Sequence, residues 1–245
     1  MDKKIAVVTG ATRGIGEAIF RNLALDGYFV IGLSRSIPQN NIDFSNSELI
    51  VKGLGVLIEC DVTNEVSVNS ALIKIKQYGY VDLLINNAGI TSDSLFHKMG
   101  TNQWFDVINT NLNALFYITH PIYKMMREKK SGKIINISSV NGQKGQPGQV
   151  NYSASKSGVH GFTMALAQEG ARSNILVNTV SPGYTNTEMM STIKSDLLSF
   201  IKSSIPLGRL AEVEEIANVV SFLASDKCTY MTGANIPVNG GLFIG

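Results

Sequence analysis

Tyr152-Ser153-Ala154-Ser155-Lys156 places a phenol and an ammonium group four residues apart. At the start of a helix that spacing puts both side chains on one face. An ammonium beside a phenol favours the phenolate, so Lys156 is expected to lower the Tyr152 pKa from the ordinary ~10. A tyrosine tuned in this way can hand its proton to a developing alkoxide, which is general acid catalysis. Upstream, Ser138-Ser139 ends an apolar run and adds a hydroxyl within the same stretch of chain. Tyr-x-x-x-Lys alone occurs by chance in many helices. Its weight here comes from the serine before it and from a glycine-rich loop near the start of the chain.

That loop is Thr9-Gly10-Ala11-Thr12-Arg13-Gly14-Ile15-Gly16, directly after an apolar run and opening an amphipathic one. Glycines allow a tight turn and close backbone approach to a pyrophosphate, while the helix N-terminus supplies amide donors and a positive dipole. The next apolar run ends Leu33-Ser34-Arg35-Ser36, with no carboxylate between Asp26 and Asp43. An acidic residue there would hold the ribose hydroxyls of NAD, whereas cations suit the 2′-phosphate of NADP. Arg35, with Arg13 in the loop, therefore predicts NADPH/NADP+. Asn86-Asn87-Ala88-Gly89 follows another run, and its small residues permit close backbone approach to a cofactor.

The elements that must position these residues alternate. Apolar runs at 5–8, 28–33, 56–58, 83–85, 134–137, 175–180 and 235–238 are too continuous for a half-exposed antiparallel sheet and suit buried parallel strands. Between them, helices are predicted over 16–26, 64–78, 102–130, 152–172 and 212–224. Strand–helix alternation implies crossovers and helices on both faces of one sheet, a doubly wound α/β domain. The polar stretch 36–47 is too short to divide the chain into two domains.

Composition narrows the function classes. Of 245 residues, 44% are hydrophobic and 16% charged, which excludes intrinsic disorder. A net charge of +2 gives no broad basic field for nucleic acid. Cys60 and Cys228 form no C-x-x-C and read as buried thiols in a reducing compartment. No signal peptide is expected before the first strand and no run is long enough to span a membrane, so a soluble, cytoplasmic protein is expected. His97, His120 and His160 lack partners at metal-ligand spacing, and no metal is expected. Lys129-Lys130 ends a predicted helix, where cations suit the macrodipole; the alternative is docking of an acidic carrier protein together with Arg172.

Thr9-Gly10-x-x-x-Gly14-Ile15-Gly16, Asn86-Asn87-Ala88-Gly89, Asn111, Ser139, Tyr152-x-x-x-Lys156 and Pro182-Gly183, in this order and almost end to end, resemble the short-chain dehydrogenase/reductase family. The resemblance implies a single-domain Rossmann fold with a mostly parallel sheet of about seven strands and a substrate lid around 185–210. It makes Tyr152 the general acid/base, and Ser139 the holder of the substrate oxygen. Lys156 becomes the ribose ligand that tunes Tyr152, and Asn111 the anchor of a proton-relay water. It also implies cofactor contacts from Gly10, Thr12, Arg13, Gly14, Ile15, Gly16, Ser34, Arg35, Asp61, Val62, Asn87, Ala88, Gly89, Tyr152, Lys156, Pro182, Gly183 and Thr185.

More narrowly, 136–146, 161–169 and 239–242 resemble the branch that reduces acetoacetyl-CoA for polyhydroxybutyrate synthesis. Asp93, Ser139, Gln146, Gln149, Gly183, Tyr184 and Lys194 would then line the thioester channel. The chain departs from that branch at Pro147, where an aromatic is common, and at Ser92 before Asp93, where a basic residue is usual. The alternatives are a 3-oxoacyl-carrier-protein reductase and a catalytically silent NADP-binding sensor. The implied partners are an acyl thioester, on coenzyme A or on acyl carrier protein, and further copies of the chain. These would form a homotetramer through the 152–172 helix and the 233–245 tail.

Overall fold

The computed structural model describes residues 3–37, 53–191 and 195–245. Continuous apolar runs do form strands: β1 (Ile5–Thr9), with every residue buried, β2 (Phe29–Ser34), β3 (Gly55–Glu59), β4 (Val81–Asn86), β5 (Gly132–Ile137), β6 (Ile175–Pro182) and β7 (Asn235–Val238). They make one seven-stranded sheet in the order β3-β2-β1-β4-β5-β6-β7, and every pairing is parallel. The expected "mostly parallel" sheet is thus wholly parallel. The chain works outward from β1 to β3, then returns to lay β4 against the other side of β1. That reversal opens a crevice at the carboxyl ends of β1 and β4, where open α/β sheets bind ligands.

Period-two alternation splits the core between the sheet's faces. Ile5, Val7, Ile31, Leu33 and Leu84 face a cluster with Val68, Leu72, Ile75, Ile118, Ile122 and Met126. These last residues come from α2 (Glu65–Lys76) and α4 (Ala114–Lys129). Ala6, Val8, Leu83, Ile85 and Ile135 face the other way, onto Ile19, Phe20, Leu23, Ile216, Val220 and Leu223. Those belong to α1 (Gly14–Leu25) and α9 (Val213–Ala224), which pack on each other. The remaining α-helices among the described residues are α3 (Thr101–Ile108), α5 (Asn141–Lys144), α6 (Val150–Ala171), α7 (Glu188–Ser191) and α8 (Ser195–Ser204).

The single helix predicted over 102–130 is not one helix. A π turn at Asn109–Asn113 separates α3 from α4. Hydrophobic spacing runs through the interruption, so the pattern carried no warning of it. A single π turn in a long helix commonly marks a functional position, and this one carries Asn111. Lys130 ends α4 in the left-handed region, φ 54. Lys129 pairs with Asp82 at 2.6 Å, so it is engaged within its own subunit.

A third, smaller cluster gathers Ile201, Ile205 and Leu210 with Tyr184, Met190, Leu198 and Leu242. It gives the segment after β6 a core of its own, joined to the C-terminal tail. Among the described residues no helix is long and apolar enough to cross a membrane, and no His/Cys/Asp/Glu cluster could hold a metal.

Candidate active site

The glycine loop is shaped by close approaches. Gly10 and Gly14 lie at φ 65 and 53, in the left-handed region that favours glycine. A Cβ on Gly16 would stand 2.1 Å from the Gly10 carbonyl oxygen and 2.4 Å from the Asn87 amide nitrogen. The first turn of α1 therefore presses onto the end of β1. Asn87 locks the loop from β4, donating to Thr9 O at 3.0 Å and Gly10 O at 3.1 Å. Thr9 Oγ1 in turn accepts from the Asn87 and Ala88 amides, both at 2.9 Å. Gly10 N donates to Leu33 O at 2.8 Å, which fixes the loop against β2.

The result is a bare backbone cradle at a helix N-terminus, the shape and polarity a pyrophosphate requires. Thr12 and Ser34 hydroxyls meet at 3.0 Å across its rim. Arg13 and Arg35 are exposed there, with no ion-pair partner among the described residues. Asp61 stands at the end of β3 and accepts from the Thr63 amide and hydroxyl at 2.9 and 2.7 Å, beside buried Val62. Thr187 closes on Gly14 from the far side, 3.4 Å from where a Cβ would lie. The residues present fit a dinucleotide.

The chemical groups gather at the carboxyl ends of β4, β5 and β6. Lys156 is 4% exposed. Its Nζ donates to Ile137 O at 2.9 Å and sits 5.8 Å from the centroid of the Tyr152 ring. Burial brings its pKa down to about 8. Ser139 Oγ accepts from the Asn141 amide at 3.1 Å, which leaves its proton for Tyr152.

The tyrosine corrects an expectation. Burial raises the Tyr152 phenol above its ordinary value; a hydrogen bond from Ser139 pulls it down, and the Asp93 charge pushes it up. Lys156 does come close, as its spacing predicts, but its ammonium is tied to Ile137 O and does not offset the burial. Tyr152 is therefore held protonated.

Asn111 is buried, with both amide protons engaged. Nδ2 donates to Ile90 O at 3.0 Å and to Ser155 Oγ at 3.2 Å, and Oδ1 accepts from Ile90 N at 2.8 Å. Its side chain has no donor left for a water. Beneath these groups runs a buried polar ladder. Asn86 Nδ2 donates to Thr119 Oγ1 at 2.9 Å and Asn136 Oδ1 at 2.8 Å; Asn136 Nδ2 donates to Thr163 Oγ1 at 2.8 Å. Thr179 Oγ1 then donates to Thr163 Oγ1 at 2.7 Å, so β4, β5, β6, α4 and α6 share one register.

On the open side, Gln149 Nε2 donates to Asp93 Oδ2 at 2.8 Å. Tyr184 is raised by burial and then by Asp93, so Asp93 faces Tyr152 and Tyr184 alike. Gln146 accepts from Lys144 at 2.9 Å. Gly183 lies so close to Asn239 that a Cβ would meet its Cα at 2.8 Å, and Thr185 donates to Gly183 O at 3.1 Å. The structure thus unites Ser139, Tyr152, Lys156, Asn111, Gly89, Asp93, Gln149, Gly183 and Tyr184. Lys194 lies outside the described residues. Sequence reasoning missed Asn141 and Asn151. Asn151 donates to Ser92 O at 3.0 Å and Gln103 O at 2.9 Å, and accepts from the Tyr152 amide at 2.8 Å. Its position next to the tyrosine was the only available signal.

The family model for short chain dehydrogenase matches residues 4–198. An acetoacetyl-CoA reductase of Acinetobacter sp. (strain RA3849) is 47% identical over 248 residues, 99% of either chain. One of Cupriavidus necator is 46% identical over 250 residues, 100% of either chain. A 3-oxoacyl-(acyl-carrier-protein) reductase of Haemophilus influenzae is 43% identical over 245 residues, again 100% of either chain. A crevice at the sheet's reversal point, bare glycine backbone on one side of it, and a serine, a tyrosine and a buried lysine on the other accord with these likenesses: the chain belongs to the short-chain dehydrogenase/reductase family.

Proposed function

We propose that this protein reduces the 3-oxo group of acetoacetyl-CoA to (R)-3-hydroxybutyryl-CoA with NADPH. The observation that carries the reading is the convergence of Ser139, Tyr152 and Lys156 at the mouth of the glycine-lined crevice. Likeness to acetoacetyl-CoA reductases at 46–47% identity over the whole chain supports the substrate. The bound nicotinamide would supply the hydride. Gly10, Gly14, Ile15 and Gly16 would hold its pyrophosphate, Asp61 and Val62 its adenine end, and Asn87, Ala88, Gly89, Pro182 and Thr185 the side nearer the chemistry. Arg13 and Arg35, with Ser34 and Thr12, would meet a 2′-phosphate through charge-assisted bonds.

Ser139 donates to the ketone oxygen and orients it. Tyr152, held protonated by burial, gives its proton to that oxygen as alkoxide character develops. Lys156 holds positive charge beside the tyrosinate left behind, and Asn111 fixes the loop at Ile90 through its side chain. Residues 185–210 would act as a lid over the bound thioester. The two buried free thiols accord with a reducing, cytoplasmic setting.

Parallel assays of NADPH oxidation with acetoacetyl-CoA and with acetoacetyl-carrier protein, each repeated with NADH, test the proposal. Higher kcat/KM for the CoA thioester and for NADPH is expected. Preference for the carrier-bound substrate would move the enzyme to fatty-acid synthesis. Tight NADPH binding without oxidation of either thioester would mark a silent sensor.

A further inference from the structure

Asn141 opens the short helix α5 and touches both halves of the site. Its backbone amide donates to Ser139 Oγ at 3.1 Å. Its side-chain Nδ2 donates to Gln149 Oε1 at 2.9 Å, and Gln149 Nε2 donates to Asp93 Oδ2 at 2.8 Å. The far end dictates the direction of this chain. A carboxylate only accepts, so Gln149 must turn its amino group to Asp93 and its oxygen to Asn141. Asn141 must then present its own amino group, which leaves Oδ1 facing the other way.

That Oδ1 is buried and has no hydrogen-bond partner. An unpaired buried acceptor is destabilising, and an apolar side chain of similar volume would fill the space without it. Asn141 is 7% exposed, so its side chain is set into the protein rather than into bulk solvent. A residue that weakens the fold while steering two polar groups at the mouth of the site is best explained by what those groups do.

We propose that the Asn141 carboxamide is a positioning group for the substrate: it locks the Gln149 amide and, through it, the Asp93 carboxylate in the channel that receives the thioester arm. The inference rests on the proposed function in placing Asp93 and Gln149 against that arm. Because the backbone amide of Asn141 serves Ser139, replacing the side chain leaves the Ser139 contact in place. The change then acts on substrate binding and leaves proton transfer alone.

The test compares the full-length wild type with Asn141→Leu, Gln149→Leu and the double variant, using acetoacetyl-CoA, NADPH and thermal melting. In Asn141→Leu, KM for acetoacetyl-CoA should rise about 2- to 12-fold, the range of one ordinary hydrogen bond. Turnover should stay within about twofold, KM for NADPH should hold, and the melting temperature should be equal or higher. The double variant should be no worse than the poorer single one, because both changes break one chain. An unchanged KM, additive effects, or a melting temperature that falls together with kcat would overturn the proposal. If the wild type does not reduce acetoacetyl-CoA, the proposed function has failed by itself. The crystal structure of Asn141→Leu then decides: a displaced Gln149 and Asp93 support the positioning role, and an undisturbed contact between them refutes it.

Discussion

Lys156 carries the heaviest electrostatic burden in the site, because its ammonium is buried against a single carbonyl. Burial brings its pKa from 10.5 to about 8. Below that pH both folded and unfolded chains hold the proton, and the folded form bears the full desolvation penalty. Between about 8 and 10.5 the unfolded state binds more protons, so this group makes stability rise with pH across that window. Cys60, pushed from 9 up to about 11, acts in the opposite sense above pH 9, so only a comparison of variants isolates the lysine. Lys156→Met is therefore expected to be more stable than wild type at pH 7, by about 1–3 kcal/mol. The margin should shrink toward pH 10 while turnover is lost; urea denaturation at pH 7, 8.5 and 9.5 measures it, and a pH-independent margin contradicts the assignment. Tyr152→Phe removes the proton donor and should cut turnover by ~10²–10⁴ while leaving NADPH affinity nearly unchanged. Retention of more than a tenth of wild-type turnover would remove Tyr152 from that role.

At the scale of elements, the first turn of α1 is set by contact with the end of β1. Gly16→Ala would drive a methyl into the Gly10 carbonyl, where 2.1 Å is available, so the helix N-terminus must retreat. Overpacking of this kind costs about 1–3 kcal/mol, and the same retreat withdraws the amides that face the phosphates. NADPH affinity measured by fluorescence titration should fall at least about tenfold, with a lower melting temperature; unchanged affinity would show that the cradle tolerates the shift. This loop was legible in the sequence because strand, glycines and helix are contiguous there. The strands were legible for a related reason: a parallel strand buried on both faces is continuously apolar, and Ile134, Ile135 and Ile137 need no partner in view to be recognised. The π turn at Asn109–Asn113 was not, since apolar spacing continues from Val107 through Ile118 as though the helix were unbroken. Nor was the chain Asn141–Gln149–Asp93, whose members meet only after β4, β5 and α6 are side by side. The tyrosine–lysine pairing was visible as spacing, but its electrostatics depended on how far the fold excludes water.

At the scale of the whole molecule, one group of exposed apolar side chains lies on the helices that flank the site. Phe105 on α3, Phe116 on α4 and Met164 on α6 are 53%, 58% and 51% exposed. Phe116 stacks on His120 with ring centroids 5.0 Å apart, so it is held outward as part of an aromatic ledge. These helices form one side of the molecule: α3 packs on α6, and Leu112 of the π turn lies over Gly158 of α6. The tail divides between two surroundings, for Leu242 packs against the cluster of Ile201, Ile205 and Leu210 while Ile244 is 88% exposed. Monomers rarely leave large contiguous apolar patches in water, whereas a stable interface needs about 800 Å² from each partner. α6 turns Lys156, Val159, Thr163 and Ala167 inward and Met164 outward, so the helix that carries the chemistry would also carry the contact between subunits. Assembly of several copies is therefore expected in solution, and the family resemblance implies a homotetramer. Light scattering on wild type and on a Phe105→Glu/Phe116→Glu double variant checks it. The wild type should give four times the chain mass, and the variant, forced to bury two carboxylates, should dissociate to smaller species with lower activity as α6 loses its outer support. A monomeric mass for fully active wild type would refute the assembly and leave the ledge without a role.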